Sequence, residues 1–167
     1  MLVLSLILIF YCCTGAKRRV FLMSTDPRLG TWKLNVAKSK LSPALYALLK
    51  QAPPKELTIT FRELGTEDLE VTMTGTQTDG KPIANKSIAP RQGGALKIQQ
   101  GAFPEGMTIV STRIDPNTSY LTFMLNGKQV FVAKSAASKN GKTIQNTTKG
   151  TDPQGKPFES VEVYDKQ

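Results

Sequence analysis

The sequence predicts an all-β protein, an up-and-down antiparallel β-barrel of about eight to ten strands with one short helix after the first strand. Three observations predict it. Apolar and polar residues alternate with a period of two along most of the chain after residue 55, Asp-Gly and Asn-Gly pairs separate these runs, and no segment is long enough for the crossover of a parallel sheet. Because an antiparallel meander has two open edges that closure removes, we prefer a barrel to a two-layer sandwich.

The length and composition indicate one folded domain with a basic surface. The 167 residues are 40% hydrophobic and 21% charged, as in a chain that buries a core. The net charge is +9, but the basic residues beyond the run at 17–19 are scattered along the chain. We therefore predict a solvated basic surface and no nucleic-acid partner, with binding of another polyanion as the alternative.

The residue types that are absent exclude most enzyme classes. There is no histidine, and the only cysteines, Cys12 and Cys13, lie in the N-terminal apolar run. The folded part lacks the commonest general base and the commonest metal ligands, so we predict no metal and no cofactor. Glu159 and Glu162 are an odd number of residues apart, so on a strand they point to opposite faces and cannot form a catalytic pair. Enzyme activity remains only as lysine or tyrosine chemistry inside the barrel.

The N-terminus predicts export. Residues 2–11 are almost entirely apolar but too few to span a bilayer, and residues 14–16 are the small residues of a signal-peptidase site. The predicted organisation is a signal peptide at 1–16, a linker at 17–27 and a barrel domain at 28–167. No transmembrane span is expected, and the predicted location is secreted or periplasmic. If synthesis starts at Met23 the protein is cytoplasmic, and mass analysis of the N-terminus distinguishes the two.

The first strand and the following helix are predicted to lie at the two ends of the barrel. Residues 30–35 form a predicted strand with the only tryptophan, Trp32, whose large apolar area suits the sealed end of a barrel. Ser42 and Pro43 match an N-cap and a first helical position, and Pro53 helps to end the helix. The apolar face of this helix carries Leu45, Leu48 and Leu49. The helix is either a lid over the barrel mouth or a fixed plug packed on the strands.

The rest of the chain is predicted as strands joined by short turns. Asp79-Gly80 supplies the positive φ that a tight hairpin requires, and residues 90–94 are predicted as a loop. The predicted strands are residues 57–62, 69–74, 82–88, 96–98, 108–114, 120–125, 129–135, 143–149 and 158–164.

The opening strand resembles that of a known superfamily. Residues 29–34 are similar to the Gly-x-Trp strand that opens lipocalins and fatty-acid-binding proteins, the calycin barrels. Small bacterial lipocalin-like proteins of unknown function resemble the chain further, at residues 30–41, 138–143, 149–158 and 163–167. The resemblance implies a lipocalin-like barrel and export, without a specific chemistry. In lipocalins an arginine near the closing strands packs over the tryptophan, and here Lys166 or Lys149 takes that place.

The sequence favours a hollow barrel over one filled by side chains. Residues 120–125 and 129–137 carry apolar residues on both faces, and the flexible methionines suit an adaptable pocket, although ordinary core packing also explains them. The predicted ligand-binding residues are Trp32, Met73, Arg113, Tyr120, Met124 and Phe131.

Two basic residues interrupt apolar strands. Arg113 shares a face with Ile109, so if that face is interior, Arg113 needs a carboxylate or an anionic ligand head group. Lys134 shares a face with Val132 and presents the same choice. The alternative places both side chains outside the barrel.

Two functions from different classes fit the sequence. The first is a secreted, monomeric, non-enzymatic lipocalin-like barrel that holds a small apolar or amphiphilic ligand. The second is a filled barrel whose basic surface attaches to a cell-envelope polymer or a partner protein. Added salt separates them, because charge-driven attachment weakens steeply with salt whereas apolar binding hardly changes.

Overall fold

The structure, a computed structural model, describes residues 26–167, and eleven β-strands account for most of them. The predicted signal peptide and residues 17–25 of the predicted linker lie outside the described residues. The strands are β1 (Gly30–Leu34), β2 (Pro54–Leu64), β3 (Asp68–Gln77), β4 (Pro82–Pro90), β5 (Gly93–Ala95), β6 (Lys97–Gln100), β7 (Met107–Arg113), β8 (Thr118–Leu125), β9 (Lys128–Ala137), β10 (Thr143–Thr151) and β11 (Pro157–Lys166).

One short helix follows β1, as predicted. The helix α1 (Pro43–Leu48) begins with a proline, whose fixed φ suits the first helical turn and whose missing N–H costs nothing there. A 3₁₀ turn, Val36–Lys38, precedes it, and the Asn35 side chain caps this turn by accepting the Lys38 N–H. Within residues 26–167, no helix has the length and apolar character needed to cross a membrane.

The strands form one antiparallel sheet in the order β5-β7-β8-β9-β10-β11-β1-β2-β3-β4-β6. The first and last strands of the chain pair with each other in the middle of this order, where Leu34 lies opposite Tyr164. The two ends of the order, β5 and β6, are separated in the chain by Leu96 alone. The sheet therefore curls into a nearly closed barrel, which confirms the predicted all-β, up-and-down architecture.

The segment that closes the barrel differs from its prediction. The chain is already a strand at Gly93, within the predicted loop, and it changes partner at Leu96, because β5 pairs with β7 whereas β6 pairs with β4. Gly93 has a φ of 99°, and a Cβ at this position would lie 2.9 Å from the carbonyl oxygen of Ser111. This close approach of two backbones requires glycine. The predicted strand at residues 96–98 corresponds to β6, whereas β5 is a strand that the prediction lacks, and it raises the number of strands to eleven.

Trp32 and α1 mark opposite ends of the barrel. At one end, which we call the foot, the Trp32 indole N–H donates to the carbonyl oxygen of Arg28, and the Arg28 guanidinium donates to the carbonyl oxygen of Arg91, just beyond β4. At the other end, Gln51 follows α1 and donates to the carbonyl oxygen of Ala102 in the β6–β7 connection. The chain segments before β1 and after it thus cover the two openings of the barrel.

Candidate ligand-binding cavity

A cavity of about 210 Å³ lies inside the barrel. Most of its walls are apolar side chains that the alternation of the strands points inward. They include Leu57, Ile59, Phe61, Val71, Met73 and Ile83 on one wall, and Ile109, Leu121, Phe123, Phe131 and Ile144 on the other. A hollow, apolar barrel of this kind can enclose one small molecule.

Trp32 is fully buried at the foot and lines the cavity. Its N–H donates to the carbonyl oxygen of Arg28 at 2.7 Å, which satisfies the one polar atom of the indole. Lys166 lies over the ring, with its Nζ 4.9 Å from the ring centroid. Lys149, the other residue considered for this place, instead forms an ion pair with Glu159 on the exposed outer face.

Asp26 holds two arginines at the foot. Its carboxylate accepts from the Arg28 Nη2 at 2.7 Å and from the Arg113 Nη1 at 3.4 Å. The side chains of Asp26, Arg28 and Arg113 are only 4%, 12% and 14% exposed. Burial alone would raise the pKa of Asp26, but the hydrogen bonds from Arg28 and the charges of both arginines outweigh it and hold the pKa below its usual value. Asp26, which the sequence assigns to the linker, therefore anchors that segment to the barrel.

Arg113 lies on the interior face of β7 but does not line the cavity. Ile109 and Ser111 of the same face do line it. Besides Asp26, the Arg113 guanidinium donates to the carbonyl oxygens of Asp115 and Pro116 in the β7–β8 turn. Asp26 is thus the carboxylate that an interior Arg113 was expected to need. Binding of an anionic ligand head group by Arg113 stays a prediction.

The helix α1 covers the end of the barrel opposite the foot. Leu45, Tyr46 and Leu49 line the cavity, whereas Leu48, the third residue of the predicted apolar face, does not. The backbone N–H of Ala52, just after the helix, donates to the side chain of Gln77 at the end of β3. Both interpretations, a lid over the barrel mouth and a fixed plug, place the helix here, and both stay predictions.

The other predicted ligand-binding residues divide between the two faces of the barrel. Met73 and Phe131 line the cavity. Tyr120 is 39% exposed on the outer face. Met124 does not line the cavity and follows a register shift between β8 and β9. Lys134 is exposed because it lies on the outer face of β9, whereas Phe131 lies on the face that points inward.

A row of polar residues crosses the interior of the otherwise apolar barrel. It runs over five neighbouring strands, β7 to β11, and each member lies directly opposite the next in the strand register. The members of this polar row are Arg113, Ser119, Ser135, Asn146 and Glu162. All but Arg113 line the cavity. Within the described residues, the buried Ser119 Oγ and Asn146 Oδ1 have no hydrogen-bond partner, so both can still bind a ligand or water.

Glu162 ends the polar row and joins it to the helix. Its Oε1 accepts from the Tyr46 hydroxyl of α1 at 2.6 Å, and its Oε2 accepts from the Tyr164 hydroxyl at 2.9 Å. Burial, and then the negative charge of Glu162, raise the pKa of both tyrosines far above the usual value, so both hydroxyls stay protonated and donate. In residues 26–167, no group of acidic, histidine or cysteine residues could hold a metal ion.

We expect the two tyrosines to make the protein sensitive to alkali. Their pKa values are raised in the folded state, so their contribution to stability is complete below the unfolded value of 10.0 and is lost as the pH rises above it. The slope is about 1.4 kcal/mol per pH unit for each hydroxyl. Urea unfolding measured from neutral to strongly alkaline pH should therefore show that the free energy of unfolding falls less steeply with pH for Tyr46→Phe than for the wild type. A Tyr46→Phe slope equal to the wild-type slope would contradict the assignment.

Sequence reasoning missed the polar row, although one signal was present. Asn146 shares a strand face with the apolar Ile144, and Ser135 lies between Ala133 and Ala137 on the face of Phe131. Such a pattern indicates a polar residue on an apolar face. It does not indicate that five strands align these residues, because alignment depends on the register.

The comparisons with known proteins concern the fold. No protein-family model and no curated protein matches the sequence. The structure resembles that of the fluorescent protein UnaG, with 13% identity, a TM-score of 0.58, and coverage of 83% of this chain and 96% of that chain. A point mutant of UnaG matches with 11% identity, a TM-score of 0.61, and coverage of 86% of this chain and 99% of the other.

Zebrafish ileal bile acid-binding protein, solved in complex with cholic acid, is also similar. It has 13% identity, a TM-score of 0.51, and coverage of 84% of this chain and 99% of that chain. At these identities the comparisons establish a fold. The chain has an antiparallel β-barrel fold similar to that of UnaG and of the bile acid-binding protein.

Proposed function

We propose that this protein is a non-enzymatic barrel that binds one small apolar or amphiphilic ligand in its interior. The observation that carries the proposal is the cavity of about 210 Å³, whose apolar walls enclose an aligned polar row. Apolar walls with a few convergent polar groups are typical of small-molecule sites. Trp32 closes one end of this space and α1 covers the other.

The tyrosines in the cavity support binding over catalysis. An activated tyrosine needs a lowered pKa, whereas burial and Glu162 raise the pKa of Tyr46 and Tyr164. The two hydroxyls therefore act as neutral hydrogen-bond donors. Among the described residues, no lysine lines the cavity, which removes support for lysine chemistry there.

A similar barrel supports the ligand class. The zebrafish protein named above was solved with cholic acid, which is a small amphiphile. The alternative function, attachment through the basic surface of a filled barrel, loses support because the interior of this barrel is hollow. We therefore prefer the ligand-binding proposal.

Export is part of this proposal. It rests on the apolar residues 2–11 and the small residues 14–16, which lie outside the described residues. Cleavage after residue 16 would release a barrel that acts outside the cytoplasm. The N-terminal mass analysis described above tests this part separately from ligand binding.

Filling the cavity should weaken the binding of an apolar probe. Ser87 lines the cavity on β4, whereas Ala84 is exposed on the outer face of the same strand. We expect N-phenylnaphthylamine, a neutral apolar fluorescent probe, to bind the wild-type protein with one site per chain. Ser87→Leu should weaken this binding by about tenfold or more because the added side chain occupies the space of the probe.

Ala84→Leu is the matched control, since it adds apolar volume outside the barrel and should leave the affinity of the probe unchanged. Circular dichroism and urea unfolding establish that both variants are folded. Equal binding by folded Ser87→Leu and wild-type protein would place the probe outside the barrel and contradict the proposal.

A further inference from the structure

The only acidic side chain in the lining of the cavity is Glu162, within the part of the chain that the structure describes. Its carboxylate makes two hydrogen bonds, one to each tyrosine, although an ionised carboxylate has room for about four. No lysine or arginine of residues 26–167 forms an ion pair with it. A partly buried negative charge is therefore left without a cation, which is unfavourable unless a partner supplies one.

The arginines near the cavity are not available to an anionic ligand. Arg28 lines the cavity, but its guanidinium is bound to Asp26 by two hydrogen bonds and to the carbonyl oxygen of Arg91 by a third. Arg113 is bound to the same carboxylate and to two turn carbonyls. A carboxylate ligand would have to break these pairs and would also approach Glu162. The interior thus disfavours the fatty-acid type of head group.

The polar atoms beside Glu162 are suited to a hydrogen-bond donor. Asn146 lies opposite Glu162 in the strand register, and its buried Oδ1 has no partner among the described residues. Ser135, which lines the cavity opposite Asn146, can accept a further hydrogen bond. A primary ammonium group carries three donors, no acceptor and one positive charge. It therefore complements the carboxylate and the neighbouring oxygens at once.

We propose that the cavity selects cationic amphiphiles, in which a primary ammonium head group binds Glu162 and Asn146 while the apolar body lies between the β2–β3 wall and the stacked rings of Phe123 and Phe131. This inference rests on the proposed ligand-binding function and specifies its ligand class. Charge-assisted hydrogen bonds to the carboxylate provide the selectivity. The net charge of +9 opposes the uptake of cations by the chain as a whole, so a preference for amines has to come from the cavity.

Three probes of equal chain length test the head group while the apolar contribution stays constant. Octylamine, octanol and octanoate are each titrated at neutral pH into the protein loaded with N-phenylnaphthylamine, and displacement of the probe is measured. We expect octylamine to bind about tenfold or more tightly than octanol, and octanoate to bind most weakly. Glu162→Gln should weaken octylamine binding by about tenfold or more, and should weaken octanol binding much less because octanol carries no charge. Glu159→Gln, on the outer face of the same strand, is the matched control and should bind all three probes as the wild type does.

The outcomes separate this inference from the proposed function. Equal affinity for the three probes, or a preference for octanoate, would overturn the ammonium selectivity and leave the binding function standing. If N-phenylnaphthylamine and all three probes fail to bind, both are overturned. The comparison of octylamine with octanoate uses the wild-type protein alone, so it decides the question even if Glu162→Gln does not fold.

Discussion

Replacing Trp32 with alanine is expected to lower the free energy of unfolding by about 3–5 kcal/mol. The indole is fully buried at the foot, so its loss removes a large apolar area from the core. The carbonyl oxygen of Arg28 also loses its donor, and Lys166 loses the ring beneath its ammonium group. The void left behind adjoins the existing cavity, which allows water to enter from the foot. Urea unfolding followed by circular dichroism measures the change.

Two further variants separate the contributions of the indole. Trp32→Phe keeps most of the apolar area but removes the N–H, and should cost about 1–3 kcal/mol. Tyr120→Ala removes an aromatic side chain from the exposed outer face and should cost about 1 kcal/mol or less. A Trp32→Ala protein as stable as Tyr120→Ala would show that the indole does not seal the barrel.

Removing the carboxylate of Asp26 should have a comparable effect. Asp26→Ala leaves Arg28 and Arg113 mostly buried without their anion, a change that typically costs about 3–5 kcal/mol. Glu159→Ala is the control, because it breaks an exposed ion pair with Lys149 and should cost about 1 kcal/mol or less. If the two variants lose the same stability, the Asp26 cluster is not a structural anchor.

The same carboxylate predicts a dependence on acid. The pKa of Asp26 is lowered in the folded state, so its contribution is complete above the unfolded value of 3.8 and is lost as the pH falls below it. The wild-type protein should therefore lose stability in this acid range more steeply than Asp26→Ala does. If the urea midpoints of the two proteins fall by the same amount as the pH is lowered through this range, the assigned ion pairs are contradicted.

Local sequence patterns were sufficient for the architecture. A strand is predicted by the period of two in Leu57, Ile59 and Phe61, and a hairpin is predicted by the Asp79-Gly80 turn. The start of the helix at Pro43 is likewise predicted from adjacent residues. Trp32 was expected at a sealed end for its size and its single N–H, and it is fully buried there. These features depend on residues close together in the chain.

The site depended on contacts that the sequence does not contain. Tyr120 and Leu121 are both apolar enough to face inward, and the choice of face follows from how β8 pairs with its neighbours. The pairing of Asp26 with Arg113 joins residues far apart in the chain. Glu162 was considered only for catalysis with Glu159, and its contact with Tyr46 depends on where α1 packs. Register and packing, which are long-range properties, therefore decided the chemistry of the cavity.

The methyl groups of two methionines test most directly whether the ligand enters the barrel. Met73 lines the cavity, whereas Met124 does not. In a nuclear magnetic resonance titration with octylamine, the Met73 methyl signal should shift and saturate at one ligand per chain, while the Met124 signal stays in place. A saturable shift of Met124 with an unchanged Met73 signal would contradict binding inside the barrel.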